Sequence, residues 1–227
     1  MDSKGIVALF DVDNTLLDND RVVADLMRHL EREVGHERQQ RYWTLFEQLR
    51  TELGYADYLG ALQRYRLENP RDPHLLTVSS FLVNYPFANR LFPESLDVVD
   101  SVRQWATTVI FSDGDVVFQP HKVERSGLAE EFEGRVLIYV HKEAELDDVQ
   151  HRYPAEHYVL IDDKLRILNA VKHAWGARVT TIFPRQGHYA NDLAAIAKLS
   201  PADISIRRIG DLLQYDRDAI LAAARAG

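Results

Sequence analysis

The sequence predicts an α/β fold, with a parallel sheet between layers of helix and an all-helical domain inserted after the first strand. Three observations lead there. Short, continuously apolar runs recur along the chain, as in strands covered on both faces. Between them apolar residues return every three or four positions, the spacing of a helix with one buried side. From about Asp20 to Arg90 the strand signal vanishes and only helical spacing remains.

In chain order, the first strand is Ile6–Phe10, which runs straight into Asp11. Helical stripes follow: Val22/Val23, Leu26, Leu30 and Val34; then Tyr42, Leu45, Phe46, Leu49 and Leu53; then Tyr55, Tyr58, Leu59 and Leu62. The stretch "NPRDP" marks a turn before a further helix from Leu75 to Val83. The aromatic residues of "RYWTLFEQL" and "YADYLGALQRY" sit at helical spacing, which makes them core of this inserted lobe. Pro93 marks a helix start, and Leu96, Val99, Val102 and Trp105 supply its apolar stripe. The second strand is Thr108–Phe111, the third Arg135–Val140 and the fourth His157–Ile161. Leu165, Leu168, Val171 and Trp175 form the next helical stripe, and Arg178–Phe183 the fifth strand. The polar stretch "PRQGHYAND", with Arg185 and His188, reads as a surface loop. A single helix from about Gly210 to Ala224 closes the chain. The boundaries are therefore residues 1–19 and 91–227 for the α/β core and 20–90 for the helical domain.

Composition narrows the function. The chain has 227 residues and a net charge of −8, from 27 basic and 35 acidic side chains. That balance excludes a broad nucleic-acid or anionic-membrane surface, which needs basic excess. There is no cysteine, so thiolate zinc sites, disulfides and thiol catalysis are excluded. No apolar stretch reaches the roughly 18 residues of a membrane span. The first apolar run is too short for a signal-peptide core. A cytoplasmic protein is the expectation.

Parallel sheets bind ligands just beyond the carboxyl ends of their strands. Polar side chains gather there. Asp11 and Asp13 follow the first strand, and Ser112, Asp113 and Gly114 the second. Lys142 follows the third, and Asp162 and Asp163 the fourth. Any one of these groups, seen alone, could be a turn former or a helix cap.

Taken together and in order, they resemble the haloacid dehalogenase-like hydrolase superfamily. "DVDNT" is similar to its first motif, Asp-x-Asp-x-Thr after a strand, and Ser112 to the hydroxyl residue of the second. Lys142 matches the lysine of the third motif, and Asp162–Asp163 the fourth in its two-acid form. The resemblance implies a Rossmann-like three-layer core, with residues 20–90 as a helical cap. Many relatives carry Gly-Asp in the fourth motif followed by a further acid; here Asp162 replaces the glycine, so metal ligation leans on the pair. Dehalogenases proper usually lack the acid at position 13, so the resemblance points to the phosphoryl-transfer branch.

On that basis Asp11 is the expected nucleophile, attacking phosphorus to form an aspartyl-phosphate. Hard oxygen donors without cysteine or a histidine pair predict Mg²⁺. Its expected ligands are Asp11, the Asp13 carbonyl and Asp163, with Asp162 orienting them. Asp13 is the expected general acid and base, with a raised pKa. Lys142 neutralises charge; Ser112 Oγ and backbone N–H groups around Asp113 and Gly114 hold phosphate oxygens; Thr15 braces the loop. Lys122, read as a surface lysine at a helix start, is the rival for the lysine role. The implied function is a Mg²⁺-dependent phosphatase acting on a small phosphorylated metabolite. A phosphomutase, a haloacid dehalogenase and a non-catalytic module that binds phosphorylated ligands are the alternatives.

Overall fold

The computed structural model describes residues 5–224. Its strands are β1 (Ile6–Phe10), β2 (Thr107–Asp113), β3 (Val136–Tyr139), β4 (His157–Ile161), β5 (Val179–Pro184) and β6 (Ile204–Ile206). They form one sheet in the order β3-β2-β1-β4-β5-β6, with every neighbouring pair parallel. The five expected strands are present, and β6 adds an edge. At three residues, with Ile204 and Ile206 buried around exposed Ser205, β6 is too short to show periodicity in the sequence.

β1 lies at the centre of the sheet, and all five of its residues are buried. The order reverses beside it: the chain moves outward through β2 and β3, then returns to place β4 on the other flank of β1. The crevice at such a switch point is where ligands bind. Asp11 and the Asp162–Asp163 pair are the first residues past β1 and β4, on the two sides of that crevice.

The inserted segment carries α1 (Asn19–Val34), α2 (His36–Leu53), α3 (Tyr58–Glu68) and α4 (Leu75–Asn84). Asp18 caps α1 by accepting from the Arg21 N–H at 2.9 Å, and Asp57 caps α3 through the Gly60 N–H at 2.6 Å. Val22, Leu26 and Leu30 turn inward from α1, and Tyr42, Leu45, Phe46 and Leu49 from α2. The two connections to the core run side by side. Leu17 bridges Leu91, and the Phe92 N–H donates to the Leu16 carbonyl at 2.9 Å.

One apolar cluster continues from the sheet into the helices, joining Phe10, Leu16 and Val22 to Tyr42, Phe46 and Phe118. Ring contacts trace it: Trp43–Phe46 and Phe46–Tyr58 stack at 4.7 Å each, and Tyr58 meets Phe118 at a tilt, 5.3 Å between centroids. The other face of the sheet packs Val7, Leu9, Val109 and Phe111 against Leu165, Leu168 and Val171 of the helix that follows β4.

The remaining helices are α5 (Ser95–Arg103), α6 (Phe118–Arg125), α7 (Leu128–Glu131), α8 (Leu146–Arg152), α9 (Leu165–Trp175), α10 (Gly187–Asn191), α11 (Leu193–Ile196) and α12 (Arg217–Ala223). Two expectations need correction. On α5 the buried stripe is Val98, Val99 and Val102, while Leu96 is exposed and Trp105 lies beyond the helix. The closing helix is two pieces, a 3₁₀ helix at Ile209–Gln214 and then α12. Asp216 separates them by capping α12 through the Ala219 N–H at 2.8 Å.

Candidate active site

Asp11 sits at the floor of the crevice, 1% exposed. Its N–H continues the β1–β4 ladder, donating to the Ile161 carbonyl at 3.0 Å. Lys142 donates to Asp11 Oδ1 at 2.5 Å and to the Phe111 carbonyl at 2.9 Å, and lies 2.7 Å from Asp162 Oδ2. The lysine is wholly buried. Thr15 ties the two sides of the crevice: its hydroxyl donates to Asp11 Oδ2 at 3.3 Å and accepts from the Asp163 N–H at 3.0 Å.

Asp162 and Asp163 divide their tasks. Asp162 Oδ1 accepts from the Lys164 N–H at 2.7 Å at the start of α9, and its other oxygen faces Lys142. Asp163 has neither carboxylate oxygen hydrogen-bonded, although both are buried. Oxygens of Asp11, Asp162 and Asp163 lie within 4.8 Å of one another.

Burial pushes the Asp11 carboxyl up to about 6; Lys142 opposes this and Asp162 adds to it. Burial, reinforced by Asp11 and then Asp162, raises Asp163 well above the ordinary carboxylate range. Burial alone would lower Lys142, but Asp11, Asp162 and Asp113 outweigh it and hold the ammonium charged. Three acids therefore crowd together, and Lys142 pairs directly with only two of them, Asp11 and Asp162. Orphaned buried oxygens and an all-oxygen donor set fit a hard divalent cation. Asp11, Asp163 and, behind them, Asp162 are the side chains placed to hold it.

Ser112 ends the buried part of β2; its hydroxyl accepts from Gln119 Nε2 at 3.0 Å and donates to the Asp113 carbonyl at 3.2 Å. Asp113 Oδ1 accepts from the Lys142 N–H at 2.9 Å, and Oδ2 lies 3.5 Å from Lys164 Nζ. Burial favours its neutral form, but Lys142 and Lys164 overcome that and hold its pKa below the usual range. Gly114 corrects an expectation. Its N–H is not free for a phosphate, because it donates to the Tyr139 carbonyl at 2.9 Å and so continues the β2–β3 pairing. Its lack of a side chain matters instead: a Cβ here would lie 2.5 Å from Gln119 Cβ.

Asp13 lies on the cavity side of the loop with its side chain 26% exposed. Lys122 is neither at a helix start nor solvated: it lies within α6 and is 1% exposed. Its ammonium donates to Asp13 Oδ1 at 2.7 Å, to Oδ2 at 2.9 Å and to Asn19 Oδ1 at 3.0 Å. The two lysines thus serve different acids.

Above these groups a cavity of about 630 Å³ opens between the helical segment and the core. Asp13, Asp113, Lys122 and Lys164 line its floor, and Trp43, Phe46, Arg50 and Tyr55 its helical wall. The stretch expected to be a surface loop is exposed at Arg185 and His188, but it also forms the cavity rim: His188 lies in the short α10 and pairs with Asp20 at 2.6 Å. Gln119 and Gln186 went unforeseen. Gln186 Nε2 donates to the carbonyls of Asn14 and Thr15 at 3.2 and 3.0 Å, bracing the acidic loop from beneath. An amide flanked by ordinary residues carries no sequence signal of such a role.

A buried carboxylate paired with a lysine, beside a metal-compatible acid cluster at the switch point of a parallel sheet, places the chain in the α/β class. The haloacid dehalogenase-like hydrolase family matches residues 7–180, and the chain belongs to that family. A haloacid dehalogenase-like hydrolase of Burkholderia xenovorans LB400 is 62% identical, with a TM-score of 0.89 over 94% of this chain and 97% of its own. The HAD-hydrolase YfnB of Bacillus subtilis, bound to magnesium, is 18% identical, with a TM-score of 0.60 over 92% of this chain and 96% of its own. L-2-haloacid dehalogenase of Xanthobacter autotrophicus is also 18% identical, with a TM-score of 0.56 over 92% of this chain and 96% of its own. No curated protein matches. Among the described residues no helix is long and apolar enough to cross a membrane.

Proposed function

We propose that the protein is a Mg²⁺-dependent phosphatase that hydrolyses a small phosphorylated metabolite through an aspartyl-phosphate on Asp11. The observation that carries this reading is the cluster of Asp11, Asp162 and Asp163, three buried carboxylates within 4.8 Å, with two orphaned oxygens on Asp163. Displacing halide from an uncharged carbon gives no reason to bury so much negative charge. Receiving a phosphate through a cation does. The magnesium-bound state of the Bacillus subtilis relative supports the choice of metal.

Asp11, the Asp13 carbonyl and Asp163 would hold the Mg²⁺, with Asp162 kept in place by Lys142 and the Lys164 N–H. When bound, the ion offsets the repulsion between carboxylate and phosphate, about 4 kcal/mol for unit charges ~4 Å apart at an effective dielectric of 20. The rest falls to the chain. Thr15 and Lys142 each hold one oxygen of Asp11, which fixes the carboxylate for in-line attack. Gln119 holds the Ser112 hydroxyl at the end of β2, beside where phosphate oxygens would lie. Asp13 faces the cavity, where it gives a proton to the leaving oxygen and takes one from the attacking water. A cavity of about 630 Å³ suits a metabolite, and the helical wall that closes it sets which one.

The test is phosphate release from p-nitrophenyl phosphate with Mg²⁺, compared between wild type and Asp11→Asn. Loss of turnover in the variant is expected. Undiminished turnover, or chloride release from 2-chloropropionate in place of phosphate release, refutes the reading.

A further inference from the structure

We infer that Lys122 is a positioning residue that fixes the Asp13 carboxylate for proton transfer at the cavity floor. The inference rests on the proposed role of Asp13. It starts from a buried charge that the mechanism above leaves unused. Lys122 is 1% exposed, and a lysine is almost never so buried unless it is paired. Its pairing is specific. Both oxygens of Asp13 receive a hydrogen bond, at 2.7 and 2.9 Å, so neither rotation of the carboxylate nor withdrawal of one oxygen is free.

Two further contacts hold the ammonium itself. Asn19 Oδ1 accepts from it at 3.0 Å, and it sits 5.6 Å over the Phe118 ring. Phe118 is buried against Tyr58 at 5.3 Å and Phe87 at 5.7 Å, which keeps the first turn of α6 in place. The lysine is therefore a rigid support, and the loop it supports has no comparable donor to Asp13. An acceptor carboxylate aimed at the cavity is what the second half-reaction needs, when water attacks the phosphorylated Asp11. In that step water's oxygen bonds to phosphorus, the Asp11–phosphorus bond breaks, and the proton of water passes to Asp13.

The bland reading is a structural tie between α6 and the start of α1. The two differ in kinetics. A tie, when cut, slows both half-reactions alike and lowers the melting temperature. A lost positioning contact slows dephosphorylation selectively, because p-nitrophenolate leaves without an acid. The experiment is rapid mixing of p-nitrophenyl phosphate and Mg²⁺ with wild type, Lys122→Met, Lys122→Arg, Asp13→Asn and the Asp13→Asn/Lys122→Met double variant. Intact-mass spectra of quenched samples accompany it. K122M is expected to give a burst of p-nitrophenol near one per chain and a covalent phosphoprotein. A steady rate about 10²-fold below wild type follows, within the range of general acid–base effects. D13N should behave likewise, the double variant should be no worse than D13N, and K122R should recover part of the steady rate. Should K122M not yield folded protein, Lys122→Gln offers a donor on a shorter side chain without the charge, and the same burst is expected of it.

If D13N accumulates phosphoprotein while K122M and K122Q do not, Lys122 is only a tie and the inference is overturned. If D13N itself turns over at the wild-type rate, the role of Asp13 fails and the inference fails with it. Absence of phosphate release from wild type overturns both together.

Discussion

Asp163 gives the sharpest test of the metal reading, because its removal is expected to make the metal-free protein more stable. Both of its oxygens are buried without a hydrogen bond. One of them lies within 4.8 Å of oxygens of Asp11 and Asp162. At that separation each like-charge pair costs about 3 kcal/mol at an effective dielectric of 20. Lys142 and Lys164 return much of this, as the directions of their own shifts require. A net burden of about 1–3 kcal/mol remains, the usual cost of a buried polar group with no partner. Asparagine keeps the shape and removes the charge. In EDTA at pH 8, where the acid is most fully ionised, Asp163→Asn should therefore unfold later. The gain is about 2–4 °C per kcal/mol for a chain of this length. With Mg²⁺ at a hundred times its dissociation constant, wild type should gain about 2.7 kcal/mol by mass action. The variant should gain little. The two melting curves thus change order between EDTA and Mg²⁺, read by differential scanning fluorimetry. A variant that melts below wild type in EDTA, or one whose Mg²⁺ response is intact, refutes the assignment of Asp163 as an orphaned metal ligand.

Other outcomes follow from the same geometry. Lys142→Met strands Asp11 and Asp162 together in the core, and should cost about 3–5 kcal/mol in urea unfolding and abolish phosphate release. Gly114→Ala places a Cβ 2.5 Å from Gln119 Cβ, so it should lose about 1–3 kcal/mol and weaken the hold on Ser112; a variant with wild-type Tm and KM would show that the approach is slack. The metal-free protein should lose stability as pH rises. Asp11 moves from an ordinary 3.8 to about 6, so the folded state binds more protons than the unfolded one in that window. The contribution of Asp11 is full below pH 4 and falls by about 3 kcal/mol through pH 6. The raised Asp163 extends the fall upward. Urea midpoints between pH 4 and 8 in EDTA check the sign, and a rise over that range contradicts it.

What the sequence disclosed and what it hid divide along physical lines. β1 and β4 were legible to the residue, because strands buried on both faces are uniformly apolar and end abruptly in acids. α9 was legible for a related reason: Leu165, Leu168, Val171 and Trp175 are all buried. α5 misled because Leu96 satisfies the helical spacing yet faces solvent, which only the packing partner decides. Among site residues, the strand-end acids announced themselves by standing where burial should forbid them. Gln119 and Gln186 did not, since an amide is unremarkable in any loop or helix and acquires its role from the backbone it meets. Gly114 was noticed for its N–H and turns out to matter for its missing side chain.

Lys122 shows the same limit from the other side, and it explains how two acids two positions apart can do different work. Spacing offered Lys122 and Lys142 as rivals for one role, because nothing in a linear sequence says that both could be buried. The fold removes the rivalry by giving each acid its own cation from a different element. Asp11 is sealed at the carboxyl end of the central strand with Lys142, brought by the turn after β3. Asp13 remains a quarter exposed with Lys122, brought by α6. Val12 between them is fully buried, and it fixes the chain so that the two carboxylates cannot exchange surroundings. A nucleophile needs a dry, immobile site, and a proton carrier needs access to leaving group and water. On the roles proposed for them, the sealed acid and the open one meet those needs separately, so exchanging their environments, rather than their identities, is what should destroy the chemistry.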